Sequence, residues 1–316
     1  MKILVVGPLG QVGWELRRTL SNLGTVVSVG RPIIELTSAD SIRSVIRRQA
    51  PELIINAAAY TAVDKAEDQT DLAMQINGIA PAIMAEEAKL LGAAFVTYST
   101  DYVFNGNKQG AFTETDVPDP ICQYGRSKLA GDLEVAAIGG SSLTLRTSWV
   151  YGGRGSNFLL TMLRLLGERK ELTVVDDQIG APTWSRAIAE ATGQIVAQLI
   201  APRSHGNSRA TLAELFADYS GVYNVTASGA VSWFGFTQEI LTYGRPGDLA
   251  TCSLVRPIPS TEYPTRAKRP QNSLLDNTKL LQTFGIGLPK WSECLCLVMQ
   301  DLGYVPRESK TAATPI

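Results

Sequence analysis

Residues 2–20 read KILVVGPLGQVGWELRRTL, and this junction limits the possible folds more than any other stretch of the chain. Lys2 to Gly7 is a short, β-branched apolar run of the kind that forms a strand buried on both faces. From Gln11 onward, Val12, Leu16, Leu20 and Leu23 recur at helical spacing until Gly24 closes the segment. Gly7, Gly10 and Gly13 lie between strand and helix as G-x-x-G-x-x-G. Gly7 would allow the tight turn and Gly10 the close approach of a pyrophosphate. Gly13 would let the helix pack on the sheet, with phosphate charge at the helix N-terminus. Such loops also occur with nothing bound, but a dinucleotide site requires one in this place.

The alternation continues through TVVSVG (strand), SADSIRSVIRRQA (helix, with Ser38 as N-cap), ELIINAAA (strand), a long helix from Asp71 to Gly92, AAFVTYST (strand), the helix carrying Tyr124, and SLTLRTSWVYG (strand). Strands separated by helices imply right-handed βαβ units. The expected fold class is α/β, a Rossmann-type doubly wound parallel sheet with a smaller α/β substrate-binding lobe. Residues 1–150 would form the NAD(P)-binding domain and receive about 172–220, with a strand returning around Leu172 to Ile179. Residues 151–171 and 221–316 would form the second lobe. Its expected elements are helices near 157–169 and 184–199, a strand at GVYNVT, a helix after Ser232, and an irregular stretch punctuated by Pro257, Pro259, Pro264 and Pro270. The tail from about Arg307 reads as loose.

Composition excludes several functions. Across 316 residues, 29 Lys and Arg against 30 Asp and Glu leave a net charge of −1, so no basic field points to nucleic acid. No apolar run approaches a membrane span, and Gly and Pro interrupt MKILVVGPLG too early for a signal peptide. The four cysteines (Cys122, Cys252, Cys294, Cys296) show no CxxC spacing, and the expected location is cytoplasmic. His205, in the polar stretch APRSHGNSRA, is the only histidine. Ser-His-Asp, Cys-His or multi-His zinc chemistry would have to rest on it alone. Proton transfer therefore falls to Tyr, Lys or a carboxylate.

In QYGRSKLAGDLE, Tyr124 and Lys128 share a helix face at i and i+4. Alone, such a pair is an ordinary surface feature. Upstream, Thr100 ends the fourth strand, at the edge where open α/β sheets hold ligands. A neighbouring ammonium would lower the tyrosine pKa from its usual value of about 10, and Thr100 would hold the substrate oxygen in line. The hydride must come from a nicotinamide. After the second strand, SVGRP offers Arg31 and no carboxylate, which favours NADPH over NADH unless Arg31 is a solvated surface residue.

Together, G-x-x-G-x-x-G, a Ser/Thr after strand four and Y-x-x-x-K resemble the extended short-chain dehydrogenase/reductases. NAAAYTAVDKAE, STDYVFNG, YGRSKLAGDLE, LRTSWVYG, DDQIGAPT and AKRPQNSLLD carry the resemblance to about Asp276 and are similar to the branch acting on nucleotide sugars. The resemblance implies Thr100, Tyr124 and Lys128 as the catalytic set. Gly10, Gln11 and Val12 would form the pyrophosphate turn, Arg31 would read the adenosine ribose, and Glu35 and Leu36 would lie near the adenine, where the family usually has Asp before Leu. Ala57, Ala58 and Ala59 would line the cofactor, or merely pack under a helix, and Tyr98 would lie on the nicotinamide side. Asp101 and Trp149 fall at sugar-nucleotide contacts, and Arg269 and Asn272 at the diphosphate. On residues alone, Trp149 reads as core, AKRP as a solvated loop, and Asp64, Lys65 and Glu67 as a charged helix start. Asn105 replaces the family's usual Asp, a change at a turn.

The implied activity is reduction by NADPH, or NADH, of the C4 keto group of dTDP-4-dehydro-β-L-rhamnose, giving dTDP-L-rhamnose for cell-surface polysaccharide. The enzyme would be a monomer or homodimer without nucleic-acid or membrane partners. The resemblance also implies a structural Mg²⁺ between subunits, at Glu15, Glu190 and Asp301. Two rivals stay open: a nucleotide-sugar epimerase or dehydratase that keeps its cofactor, and a non-catalytic regulatory subunit like the methionine adenosyltransferase β-subunit.

Overall fold

Strands β1 (Lys2–Val6), β2 (Thr25–Val29), β3 (Leu53–Asn56), β4 (Ala94–Thr100) and β5 (Ser142–Thr147) form where the apolar runs lie. The computed structural model describes residues 1–204, 210–244 and 251–307. His205 and residues 308–316 lie outside the described residues. All ladders of the main sheet are parallel, and a sixth strand, Gly221–Asn224, pairs with β5. The order is Gly221–Asn224, β5, β4, β3, β1, β2, so the chain reverses direction of growth between β1 and β3. Ligands bind at such a switch point, beyond the carboxyl ends of the strands.

The two-residue period of β1 divides the core. Ile3 and Val5 belong to the cluster that includes Leu16, Ile188 and Ile195, whereas Leu4 and Val6 join the cluster of Ile42, Ile46 and Met84. Helix α1 (Gln11–Thr19) and the Ser185–Ser204 helix cover the first face. Helix α2 (Ala39–Gln49) and the Ala80–Leu91 helix cover the second. Each fully buried aliphatic side chain contributes about 2 kcal/mol, and that burial requires both layers. Ser38 caps α2 as expected, accepting from the Ser41 amide at 3.2 Å.

Three elements differ from the sequence reading. The strand that returns to the main sheet is Gly221–Asn224, whereas Glu171–Val175 pairs in parallel with Leu254–Ile258. In that segment Leu172 and Val174 are buried while Glu171 and Thr173 are exposed, so it is a half-covered strand and does not suit a sheet covered on both faces. Pro257, expected in irregular chain, lies opposite Val174 in this two-stranded ladder, where an edge tolerates its missing N–H. The long helix from Asp71 is interrupted by a π turn, Gln75–Ile79. That wider turn presents Asn77, whose amide donates to Tyr60 O at 3.0 Å and to Ser127 Oγ at 3.0 Å.

Candidate active site

Thr100, Tyr124 and Lys128 converge at the carboxyl end of β4. The Thr100 hydroxyl lies close enough to the Tyr124 phenol to act on its pKa. Lys128 is buried, and its ammonium donates to the backbone carbonyl of Tyr98 at 2.6 Å. The Gln123–Ile138 helix that carries both residues starts on Cys122, with Glu67 accepting from the Gln123 amide at 2.9 Å. Glu67, read from sequence as part of a solvated helix start, thus anchors the helix that carries Tyr124 and Lys128.

The expectation that Lys128 lowers the Tyr124 pKa is not what the chain alone shows. Burial pushes the phenol up, the Thr100 hydroxyl opposes this, and the negative potential of Asp101 adds to it. Lys128 is itself shifted down by burial, with Asp132 opposing. Tyr124 is therefore held protonated, as a proton donor must be. Beneath the pair lies a network that the sequence reading missed. Asp132 accepts from Ser99 at 2.8 Å and from Arg146 at 3.3 Å, with all three buried. Its signal was present, since Asp132 follows Lys128 by one helical turn. A cavity of about 400 Å³ is bordered by Asp132, Gly140, Ser142 and Gly221, but it contains none of the catalytic set.

Asp101 is buried; its Oδ1 accepts from Thr100 at 3.1 Å, and its Oδ2 has no hydrogen-bond partner among the described residues. Burial pushes its pKa up to about 6, with the Ser273, Thr100 and Ser148 hydroxyls opposing. A buried acceptor beside Thr100 suits a ligand hydroxyl.

The cofactor residues form a cradle. A Cβ on Gly13 would lie 2.1 Å from Gly7 O, and one on Gly7 would lie 2.7 Å from Ala58 N. The protein itself requires both glycines. Gly10 is different, because its nearest neighbour would be 3.5 Å away and its backbone is ordinary extended chain. A Cβ there would make only ordinary contacts, and α1 starts at Gly10 without a side-chain cap, leaving donors for a pyrophosphate. Gln11 ties the turn to the second lobe, accepting from Asn157 at 2.9 Å, while Val12 packs on the core. Ala57 and Ala58 pack against the two core clusters and Ala59 is exposed. Arg31 pairs with Glu35 at 3.4 Å on the surface, Thr37 holds the Glu35 carboxyl below its usual range, and Leu36 packs inward. Tyr98 turns its phenol to Thr192 at 2.8 Å, so its backbone carbonyl is the part that reaches the catalytic set.

On the sugar side, Arg269 forms a two-pronged pair with Asp64 at 2.6 and 3.2 Å, and Asp64 also accepts from the Ala267 amide at 3.0 Å. Asp64, read as a solvated charge, therefore clasps the two lobes. Asn272 donates to Lys108 O and Gly110 O, at 2.8 and 2.6 Å. Asn105 donates to Asp119 at 2.9 Å, a position where an aspartate would face a like charge. Trp149 has a left-handed backbone (φ 48°) and lies on Trp233 with ring centroids 3.4 Å apart.

The carboxylates assigned to Mg²⁺ do not fit one. Glu15 is 3.3 Å and Asp301 2.8 Å from the Arg186 guanidinium, which puts a cation of the protein between them, and Glu190 is exposed one turn further along. Among the described residues no cluster of three metal-ligating side chains occurs.

Comparison with known proteins agrees with this geometry. The family model described as "RmlD substrate binding domain" matches residues 1–303. A dTDP-4-dehydrorhamnose reductase of Burkholderia thailandensis is 46% identical over 306 residues, covering 96% of this chain and 99% of that protein. The crystal structure of a dTDP-4-dehydrorhamnose reductase from Clostridium acetobutylicum superposes with a TM-score of 0.83 at 34% identity, covering 96% and 99% of the two chains. A dTDP-4-dehydrorhamnose reductase from Bacillus anthracis, solved in complex with NADP, gives 0.81 at 32% identity, covering 95% and 99%.

Proposed function

Because this chain belongs to the RmlD substrate binding domain family of dTDP-4-dehydrorhamnose reductases, we propose that it reduces the C4 keto group of dTDP-4-dehydro-β-L-rhamnose to give dTDP-L-rhamnose. It is an NAD(P)H-dependent oxidoreductase. NADPH, when bound, supplies the hydride. Gly10, Gln11 and Val12 at the start of α1 would hold its pyrophosphate, and Arg31 its 2′-phosphate.

The chain's own part is proton transfer and positioning. Thr100 donates to the carbonyl oxygen and aligns it with Tyr124. As charge develops on that oxygen, the Tyr124 phenol gives up its proton, and the carbonyl becomes a hydroxyl. The buried Lys128, fixed on Tyr98 O, would hold the nicotinamide ribose beside Tyr124. Asp101 accepts from a sugar hydroxyl, and Trp149, Arg269 and Asn272 line the nucleotide side.

The convergence of Thr100, Tyr124 and buried Lys128 beside an open glycine cradle carries this reading. The test follows NADPH absorbance with dTDP-4-dehydro-β-L-rhamnose. Stoichiometric oxidation by the wild type, with kcat lower by roughly 10²–10⁴-fold in Tyr124→Phe, is the expected result. Turnover of the sugar without NADPH consumption would favour an epimerase or dehydratase. A folded, NADPH-binding protein with no turnover would favour the regulatory-subunit alternative.

A further inference from the structure

The second apolar cluster stops at β4, with no residue from β5 or from Gly221–Asn224. Leu143 and Leu145 of β5 belong to the first cluster. Ser142, Thr144 and Arg146 alternate with them and so face the other side, towards the Gln123–Ile138 helix. All six residues of β5 are buried, and a buried polar face needs partners. Arg146 has one. Its Nε donates to Asp132 Oδ2 at 3.3 Å, while its Nη1 is buried with no hydrogen-bond partner among the described residues. A guanidinium does not lose its proton, so this buried cation requires Asp132 as a carboxylate. Asp132 is its one ion-pair partner among the described residues.

Two further observations favour the charged form. Ser99 Oγ donates to the same carboxylate oxygen at 2.8 Å. Behind it lies the cavity of about 400 Å³, bordered by Asp132 and by the hydroxyl-bearing Ser142, Thr144 and Ser220, where β5 and Gly221–Asn224 begin. Such a space is polar and roomy enough to admit water to the carboxylate. Lys128 stands one helical turn before Asp132 on the same helix face and is equally buried: Lys128, Asp132 and Arg146 are 4, 6 and 4% exposed. Of the charged groups around the catalytic set, Asp132 is the one that opposes the effect of burial on Lys128, whereas Asp101, Cys122 and Asp132 act on Tyr124. Two buried cations share one carboxylate.

We infer that Asp132 is a positioning residue for the reduction: fixed by Ser99 and Arg146 beneath the catalytic edge, it keeps Lys128 an ammonium. The inference rests on the role proposed above for Lys128 and deepens it. An ammonium has three N–H donors; one is committed to Tyr98 O at 2.6 Å, which leaves two for the hydroxyls of a ribose. A neutral amine would leave one. Without Asp132, two cations stay buried with no counter-charge, and only Lys128 can relieve this by shedding a proton.

The test is a pH profile. Burial holds Tyr124 protonated, so the alkaline limb of kcat/KM reports Lys128. Asp132→Asn should move that limb down by about one pH unit or more, lowering kcat/KM roughly tenfold at the alkaline end and little at pH 6. NADPH affinity, followed by quenching of protein fluorescence, should fall over the same interval. Asp132→Glu keeps the charge and should restore the limb, and Ser99→Ala removes a hydrogen bond but no charge and should leave it in place. A loss equal at every pH, with the limb unmoved, would make Asp132 merely structural and overturn the inference. Because Asp132→Asn strands Arg146, the double variant with Arg146→Met, which removes the stranded cation, should show the same shift. The wild type is read directly by the ¹⁵N shift of the Lys128 side chain, assigned by its absence in Lys128→Arg. An ammonium at pH 7 is expected, and an amine there overturns the inference whether or not the variants fold. If Lys128 is an ammonium and the limb of NADPH binding shifts in Asp132→Asn, yet the wild type oxidises no NADPH with the sugar, the functional reading fails and the role of Asp132 stands.

Discussion

The cofactor half and the sugar half of the site are built by opposite means. Around the glycine turn, neighbours in space come from the first three strands of the sheet: Gly13 is dictated by the backbone of Gly7, six residues before it, and Gly7 by that of Ala58, just after β3. Around the residues proposed for the sugar nucleotide, the partners come from distant segments: Asp64 reaches Arg269 across 205 residues, and Asn272 reaches Lys108 across 164. The first half follows from local pattern. The second is a set of loops held by side-chain to backbone bonds, with only short two-stranded ladders between them. Local periodicity can set a nucleotide cradle, whereas a substrate pocket that distinguishes one sugar from another is assembled late in the chain and across the lobes.

The glycines test the cofactor half most severely. Gly13→Ala places a methyl 2.1 Å from a backbone oxygen, which cannot rotate away. The expected loss is about 3 kcal/mol or more, seen as a clear fall in the denaturant midpoint, together with loss of NADPH binding. Gly10→Ala should leave the midpoint nearly unchanged, since its nearest contact is 3.5 Å, yet weaken NADPH strongly. Equal destabilisation by the two would show that the cradle is a packing feature and not a binding one.

Asp101 gives the next largest effect and works in the opposite direction. Burial raises its pKa from the ordinary 3.8 to about 6, so the folded state binds the proton more tightly than the unfolded one. Stability is then highest below pH 4, falls as pH rises through the interval to about 6, and stays lower above it. At roughly 1.4 kcal/mol for each pH unit, the penalty at neutral pH is about 3 kcal/mol. Asp101→Asn should remove that pH dependence and raise the denaturant midpoint at pH 8, while weakening the nucleotide sugar. A flat pH–stability profile in the wild type would show that the carboxylate is solvated after all.

The sheet was readable because β1 to β5 each carry an apolar run bounded by turn residues, and the convergence of Thr100, Tyr124 and Lys128 because they sit at fixed places on that frame. The return strand was misplaced because Leu172–Ile179 and Gly221–Asn224 are both short and β-rich, and only the covering layers decide which enters the sheet. The direction of the Tyr124 shift was misjudged because charge order along a helix is visible in sequence and desolvation is not. Asp64 and Glu67 looked solvated because a carboxylate at a helix start reveals nothing of a partner such as Arg269 or the Gln123 amide.

The smallest expected effect belongs to that clasp, and it bears most directly on the sugar half. Asp64 is 44% exposed and Arg269 25%, so solvent screens their attraction and the pair contributes no more than about 1 kcal/mol to stability. The Arg269 hydrogen bond holds the Asp64 carboxyl below its usual range. Its contribution is therefore complete above the unfolded pKa and is lost as pH falls through the folded one. Asp64→Asn should barely move the denaturant midpoint and leave NADPH affinity untouched. It should nonetheless change KM for the nucleotide sugar, because the guanidinium would no longer be fixed where the diphosphate is proposed to lie. Salt should mimic the mutation in the wild type and have little further effect in the variant. A KM that ignores both would mean that the clasp only closes the lobes, leaving recognition on the sugar side to Asn272 and Trp149.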